Sequence, residues 1–146
     1  MNLPVLEATN TNDLEAIRLL RFHILRQPWN QSLESAGDDL DEIAVNAFIR
    51  NSAQEVVACG RLQENPEKIG QIRYMAVASD QQGKGLGALI VEHLEQKAKK
   101  MGLVKIELHA RENAVEFYRL QGYILCEPSY KLWDIIQHYR MEKTIG

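Results

Sequence analysis

Three glycines at alternate positions, Gly83, Gly85 and Gly87, sit in the stretch QIRYMAVASDQQGKGLG, residues 71–87. Upstream, Ile72, Tyr74 and Val77 have strand propensity. Downstream, Leu86, Leu89, Ile90, Leu94, Lys97, Ala98 and Met101 recur at helical steps, and Gly102 stands where that helix would stop. A glycine-rich turn that feeds a helix leaves several backbone N–H groups unpaired and aimed one way. The helix dipole adds positive potential at the same place, and the combination binds phosphate. The backbone of Gln82, Gly83, Lys84, Gly85, Leu86, Gly87 and Ala88 is therefore the candidate phosphate cradle. The Lys84 ammonium either adds charge to it or is simply solvated.

Phosphate loops come in several kinds. A Walker A loop ends in Gly-Lys followed by Ser or Thr; here Lys84 is followed by Gly85, which excludes it. The dinucleotide pattern fits through Gly83, Gly85 and Ala88, with Glu107 on the next strand as a ribose-binding acid. Against it, the turn from Val77 to Gly83 is long, and the chain has room for one such unit. A plain strand-to-helix connection that uses glycine for positive φ is the structural alternative.

A third pattern fits better. Gln82, Gly85 and Gly87 match Gln/Arg-x-x-Gly-x-Gly/Ala, the pyrophosphate signature of the GNAT superfamily of acyl-CoA N-acyltransferases. ARENAVEFYRLQGY, residues 110–123, resembles that family's second motif, in which Asn-Ala and a later Tyr precede a Gly-aromatic pair. The resemblance covers residues from about Val56 onward and the first third only in outline. It implies a mixed, splayed, mostly antiparallel α/β (α+β) sheet of about seven strands flanked by helices. Acetyl-CoA would be wedged between the fourth and fifth strands, with no metal. Main-chain groups of Met75, Ala76 and Val77 would meet the pantetheine arm. Tyr118 would be the general acid for the leaving thiolate; its structural alternative is packing beside Phe117. Asn113 would either touch the pantetheine or cap the following helix.

Two departures from the family stand out. Arg111 occupies a position that is often Asn, which removes a coenzyme contact expected there. Arg73 stands near the place where many relatives carry a glutamate as base, and no carboxylate is close in sequence. His109 and His138 are the candidate bases, since imidazole titrates in the right range. A water chain would serve as well. His138 lies in IIQHYRMEK, similar to an Ile-Pro-His stretch in one bacterial subgroup of uncharacterised acetyltransferases.

For the acceptor, Arg21 and Arg26 on the first helix and Arg73 would suit an amine that also carries a carboxylate or phosphate. Alternatively Arg21 and Arg26 pair with the acidic loop of Glu34, Asp38, Asp39 and Asp41 and hold it closed.

The remaining sequence must position these groups. Its 146 residues suggest one domain, 1–146. A net charge of −3 argues against a general nucleic-acid binder, so coenzyme capture must rest on local donors. MNLPVLEATN is not a signal peptide, and no segment approaches a membrane span, which points to a cytoplasmic protein. Cys59 and Cys126, both in apolar strand-like contexts, read as reduced packing residues. Strands are expected at residues 5–8, 43–49, 55–62, up to Val77, 103–110, 123–126 and 137–143. Helices are expected from Asn12 or Asp13 to Pro28, from the glycine loop to Met101, and from Asn113 to Gln121. Residues 29–42 read as a loop, with room for a short helix. The order means a mixed sheet flanked by helices. The leading reading is an N-acetyltransferase acting by direct attack, possible as a homodimer. The second is a non-catalytic acyl-CoA-binding or regulatory module, and a nicotinamide-binding protein is third.

Overall fold

A computed structural model describes residues 3–146. The strands are β1 (Leu6–Glu7), β2 (Val45–Arg50), β3 (Val56–Asn65), β4 (Ile69–Val77), β5 (Lys105–Arg111), β6 (Ile124–Leu132) and β7 (Ile136–Thr144). The helices are α1 (Thr11–Arg21), α2 (Leu86–Lys100) and α3 (Val115–Leu120). The seven strands make one sheet in the order β1-β2-β3-β4-β5-β7-β6. Every pairing is antiparallel except β4 with β5.

Helices cover both faces. On one, Ile90, Leu94 and Ala98 of α2 pack with Ala58, Leu62, Ile106 and Leu108. Gly60 allows this approach, because a Cβ there would stand 2.7 Å from the Ile90 Cγ2. On the other, Ile17 and Leu20 of α1 cover Phe48, Cys59 and Ala76. Helix α1 starts earlier than expected. Asn10, not Asn12 or Asp13, is the cap: its side chain accepts from the Asp13 N–H at 2.8 Å, and Asp13 accepts from the Thr9 N–H at 3.1 Å. The helix also changes winding before Pro28, widening into a π-turn over Phe22–Arg26 and then a 3-10 turn over Gln27–Trp29.

The feature that makes the site is the splay between β4 and β5. Their parallel pairing covers only Ile69–Ile72 against Lys105–Leu108. Beyond it, β4 runs on to Val77 and β5 to Arg111 without pairing to each other. A bulge lies just past the last pair. Cys59 pairs with Ala76 and Arg61 with Arg73, so Gly60 faces both Tyr74 and Met75, and Tyr74 takes a left-handed φ of 56°. A bulged strand bends, which carries β4 away from β5.

Other boundaries differ from expectation for local reasons. Ile43 is 80% exposed in a turn, and β2 begins at Val45. Val104 lies outside β5 and is exposed. β6 continues past Cys126 to Leu132; it is an edge strand, where Pro128 is tolerated because one side needs no ladder bonds. Cys126 is therefore exposed, whereas Cys59 is buried; both are free thiols. Among the described residues no helix is long and apolar enough to cross a membrane.

Candidate active site

The glycine loop connects the diverging end of β4 to α2. Gly83 and Gly85 both adopt left-handed φ, 81° and 82°, which a side chain would strain. Gly85 is the N-cap of α2 and supplies no side-chain cap. The first bond of the helix is the Leu89 N–H to the Gly85 carbonyl, so the amides of Leu86, Gly87 and Ala88 open the helix as free donors. No acid occupies that first turn, while Lys97, Lys99 and Lys100 occupy the last. The end of α2 is thus left positive and uncapped, as an anion site requires.

Gly87 also has a packing reason. A Cβ there would meet the Phe117 ring at 3.1 Å, so the missing side chain makes room for Phe117 rather than only for a phosphate. Lys84 is exposed and sits 3.4 Å from the Gln81 side chain, outside the cleft. Gln82 donates to the Val77 carbonyl at 3.1 Å, tying the loop back to the strand end.

A cleft of about 740 Å³ runs from this loop into the splay. Met75, Ala76, Val77, Gln82, Gly83, Gly85, Leu86, Gly87, Ala88 and Asn113 all line it. Asn113 lies in a 3-10 turn, Glu112–Ala114, and α3 begins after Ala114 without a side-chain cap, so Asn113 is not the cap. Trp29 and Pro28, from the turn after α1, close the opposite wall.

A smaller cavity of about 130 Å³ lies against the first, and Leu25, Met75, Arg111, Ala114 and Tyr118 line both. Tyr118 is only 7% exposed, and burial holds its hydroxyl well above the ordinary phenol range. Its ring packs edge-on against Phe117 at 4.9 Å and Tyr123 at 5.9 Å. Packing and a place in the cleft therefore hold together for this residue.

The smaller cavity is walled by Arg26, Arg73, Arg111, His109, His138 and Tyr130. His138 is 4% exposed and stacks on Tyr130, with ring centroids 4.3 Å apart. Its Nδ1 lies 3.0 Å from the Ile136 carbonyl. A carbonyl can only accept, so that partner assigns the neutral ring's proton to Nδ1 and leaves Nε2 as the acceptor. Burial, outweighing that hydrogen bond, lowers the His138 pKa, and Arg111, His109 and Arg26 push the same way. Burial likewise lowers His109, whose Nδ1 has no partner.

Arg21 is not part of this wall. It is 1% exposed, and its guanidinium binds Asp41 at 3.0 Å, the Ala36 carbonyl at 3.1 Å and the Asn46 side chain at 2.9 Å. Arg61, also buried, binds Asp41 at 2.8 Å and Asp38 at 2.6 Å. This network fastens the loop of residues 37–41 under α1. Burial alone would raise the Asp41 pKa, but Arg21, Arg61 and Arg18 lower it on balance. Arg26 is held by neutral carbonyls instead, of Ser35 at 3.0 Å and Leu25 at 3.2 Å. Arg111, which sequence reasoning set aside as a lost coenzyme contact, takes the place expected for Arg21. The signal was present: Lys105, Glu107 and His109 alternate on one face, and Arg111 continues it.

The family model described as the acetyltransferase (GNAT) family matches residues 11–123. The chain belongs to that family. It is 28% identical over 79 residues to an uncharacterized N-acetyltransferase, YsnE, of Bacillus subtilis, covering 51% of this chain and 52% of that one. A match to the histone acetyltransferase GCN5 of rice covers 11% of that protein, so the chain spans about half the length of these curated relatives or less. Among solved structures, a provisionally named N-acetyltransferase of Lactobacillus plantarum superposes with a TM-score of 0.87 at 18% identity, covering all of both chains. An aminoglycoside 6′-N-acetyltransferase complexed with coenzyme A superposes with a TM-score of 0.82 at 15% identity, covering 99% of this chain and 98% of that one. These likenesses confirm the splayed mixed sheet expected from the motifs.

Proposed function

We propose that this chain is an N-acetyltransferase that moves acetyl from acetyl-CoA to a primary amine by direct attack. One observation carries the reading: Tyr118 lines both the cleft that ends at the uncapped α2 and the smaller cavity beyond it. The pyrophosphate would rest on the amides of residues 82–88, and the pantetheine would lie along Met75, Ala76, Val77 and Asn113. The thioester would then sit at Tyr118, where an amine can meet it from the cavity side.

In this reading the neutral amine attacks the carbonyl carbon, the C–N bond forms and the C–S bond breaks. The Tyr118 hydroxyl gives its proton to the leaving sulfur. A buried phenol is a weaker acid than a free thiol, so the transfer is coupled both to C–S cleavage and to the return of a proton to the Tyr118 oxygen through solvent, which the proton leaving nitrogen balances. His138 Nε2 takes the proton that the new amide nitrogen must lose. No cysteine takes part: burial pushes the Cys59 thiol up to about 11, and Cys126 lies on the edge strand. The two free thiols are in keeping with a cytoplasmic location. The free edge of β6 offers a second copy a place to pair, the simplest route to a homodimer.

The test is thiol release from acetyl-CoA over a panel of primary amines. Acceptor-dependent release supports the reading. Acetyl-CoA binding without release for any amine would favour the acyl-CoA-binding module instead.

A further inference from the structure

The small cavity beyond Tyr118 has an unusual charge balance. Three guanidiniums, of Arg26, Arg73 and Arg111, line it, and among the described residues no Asp or Glu does. Their protein partners do not neutralise them. Arg26 donates to the carbonyls of Ser35 and Leu25, and Arg111 donates to the Leu25 carbonyl at 3.0 Å. Arg73 alone approaches a carboxylate, Asp38 at 3.5 Å, and Asp38 is already held by Arg61 at 2.6 Å. The fully buried arginines of this chain behave differently: Arg21 and Arg61 each bind Asp41 directly.

Burial lowers the pKa of Arg26 and of Arg111, and neighbouring guanidiniums push both the same way, Arg73 on Arg26 and Arg26 on Arg111. The two imidazoles in the wall, His109 and His138, are held toward their neutral forms and add no compensating negative charge. Gathering like charges in a partly desolvated site is unfavourable unless an anion completes it. A planar carboxylate matches guanidinium donors in geometry as well as in charge.

We propose that this cavity binds a carboxylate of the acceptor, so that the acceptor class is a small amine that also carries a carboxylate, such as an amino acid. Arg111 and Arg73 hold the carboxylate from the β5 and β4 sides of the splay, and Arg26 closes over it from the turn after α1. The amine end then lies toward Tyr118 and His138. This inference rests on the N-acetyl transfer reading and narrows it. A carboxylate could also arrive on the acyl group of a dicarboxylyl thioester, and the test separates the two sources.

Two measurements decide it. In the first, glutarate is titrated calorimetrically into protein saturated with coenzyme A, for wild type, Arg111→Gln and Arg73→Gln. Wild type should bind glutarate, and each variant should lose about 30-fold in affinity, the loss expected when one partner of a buried charge pair is removed. In the second, α- and ω-amino acids are compared with their own carboxamides, using acetyl-CoA and succinyl-CoA as donors. The acid should exceed its carboxamide by about 30-fold in kcat/KM, and Arg111→Gln should erase the difference. Absence of glutarate binding, equal rates for acid and carboxamide, or a preference for spermidine would overturn the proposal while leaving acetyl transfer intact. Preference for succinyl-CoA with indifference to acceptor charge would overturn it in favour of the acyl source. Failure of coenzyme A to bind at all would instead strike the transfer reading beneath it.

Discussion

Arg111 and His138 are directly paired across the β5–β7 ladder and line the same small cavity. The pairing puts a permanent cation beside the imidazole assigned as base. An adjacent positive charge disfavours a second one, so Arg111 adds to burial in keeping His138 unprotonated.

The pH profile follows from that sign. In the proposed mechanism activity requires neutral His138, and burial holds its pKa below the ordinary imidazole value. The rate should therefore be insensitive to this group at pH values well above its lowered pKa and fall as pH drops through it. His138→Gln should lower turnover by ~10²-fold and abolish this acid limb. A kcat/KM profile with the same limb in wild type and His138→Gln would remove His138 from the mechanism.

The glycine loop predicts coenzyme affinity. Gly85→Glu combines strain at φ 82° with a carboxylate at the N-terminus of α2, and Gly87→Glu adds a carboxylate and crowds Phe117. Both should abolish calorimetric binding of acetyl-CoA while circular dichroism stays native. Unchanged affinity in a folded variant would mean that the phosphates lie elsewhere. Tight NADH binding without acetyl-CoA binding would revive the dinucleotide reading.

Asp41 is the stability prediction. It pairs with both Arg21 and Arg61 in the interior. Asp41→Asn leaves those charges short of a partner and should destabilise the fold by about 3–5 kcal/mol. The folded pKa values of Asp41 and Asp38 are lowered, so their contribution is complete above the unfolded value of ~3.9 and is lost as pH falls through the lower folded values. Urea midpoints of wild type and Asp41→Asn should differ widely at pH 7 and converge in acid. Equal midpoints at pH 7 would show the network to be dispensable.

The glycine-loop cleft proposed for the coenzyme was legible in the sequence because it is local. Strand end, turn and helix start are consecutive, and glycines mark them. The proposed acceptor side was not, because the turn after α1, β4, β5, α3, β6 and β7 each contribute to it. Arg21, Arg73 and Arg111 are the same residue type; what separates them is which one meets Asp41, and only tertiary packing decides that. Tyr74 shows a different limit. An aromatic residue reads as plain strand, yet here it takes left-handed φ because one residue of β3 must face two of β4. The expected strand at 123–126 runs on to Leu132, and the polar, proline-containing composition of residues 127–132 suits an edge strand.

The central claim is that Tyr118 completes acetyl transfer at the junction of the two cavities. Its most direct test is Tyr118→Phe, which keeps the packing against Phe117 and Tyr123 and removes only the hydroxyl. The account predicts that kcat falls by ~10²–10⁴-fold, with acetyl-CoA affinity unchanged by calorimetry. Turnover at the wild-type rate in that variant would contradict it.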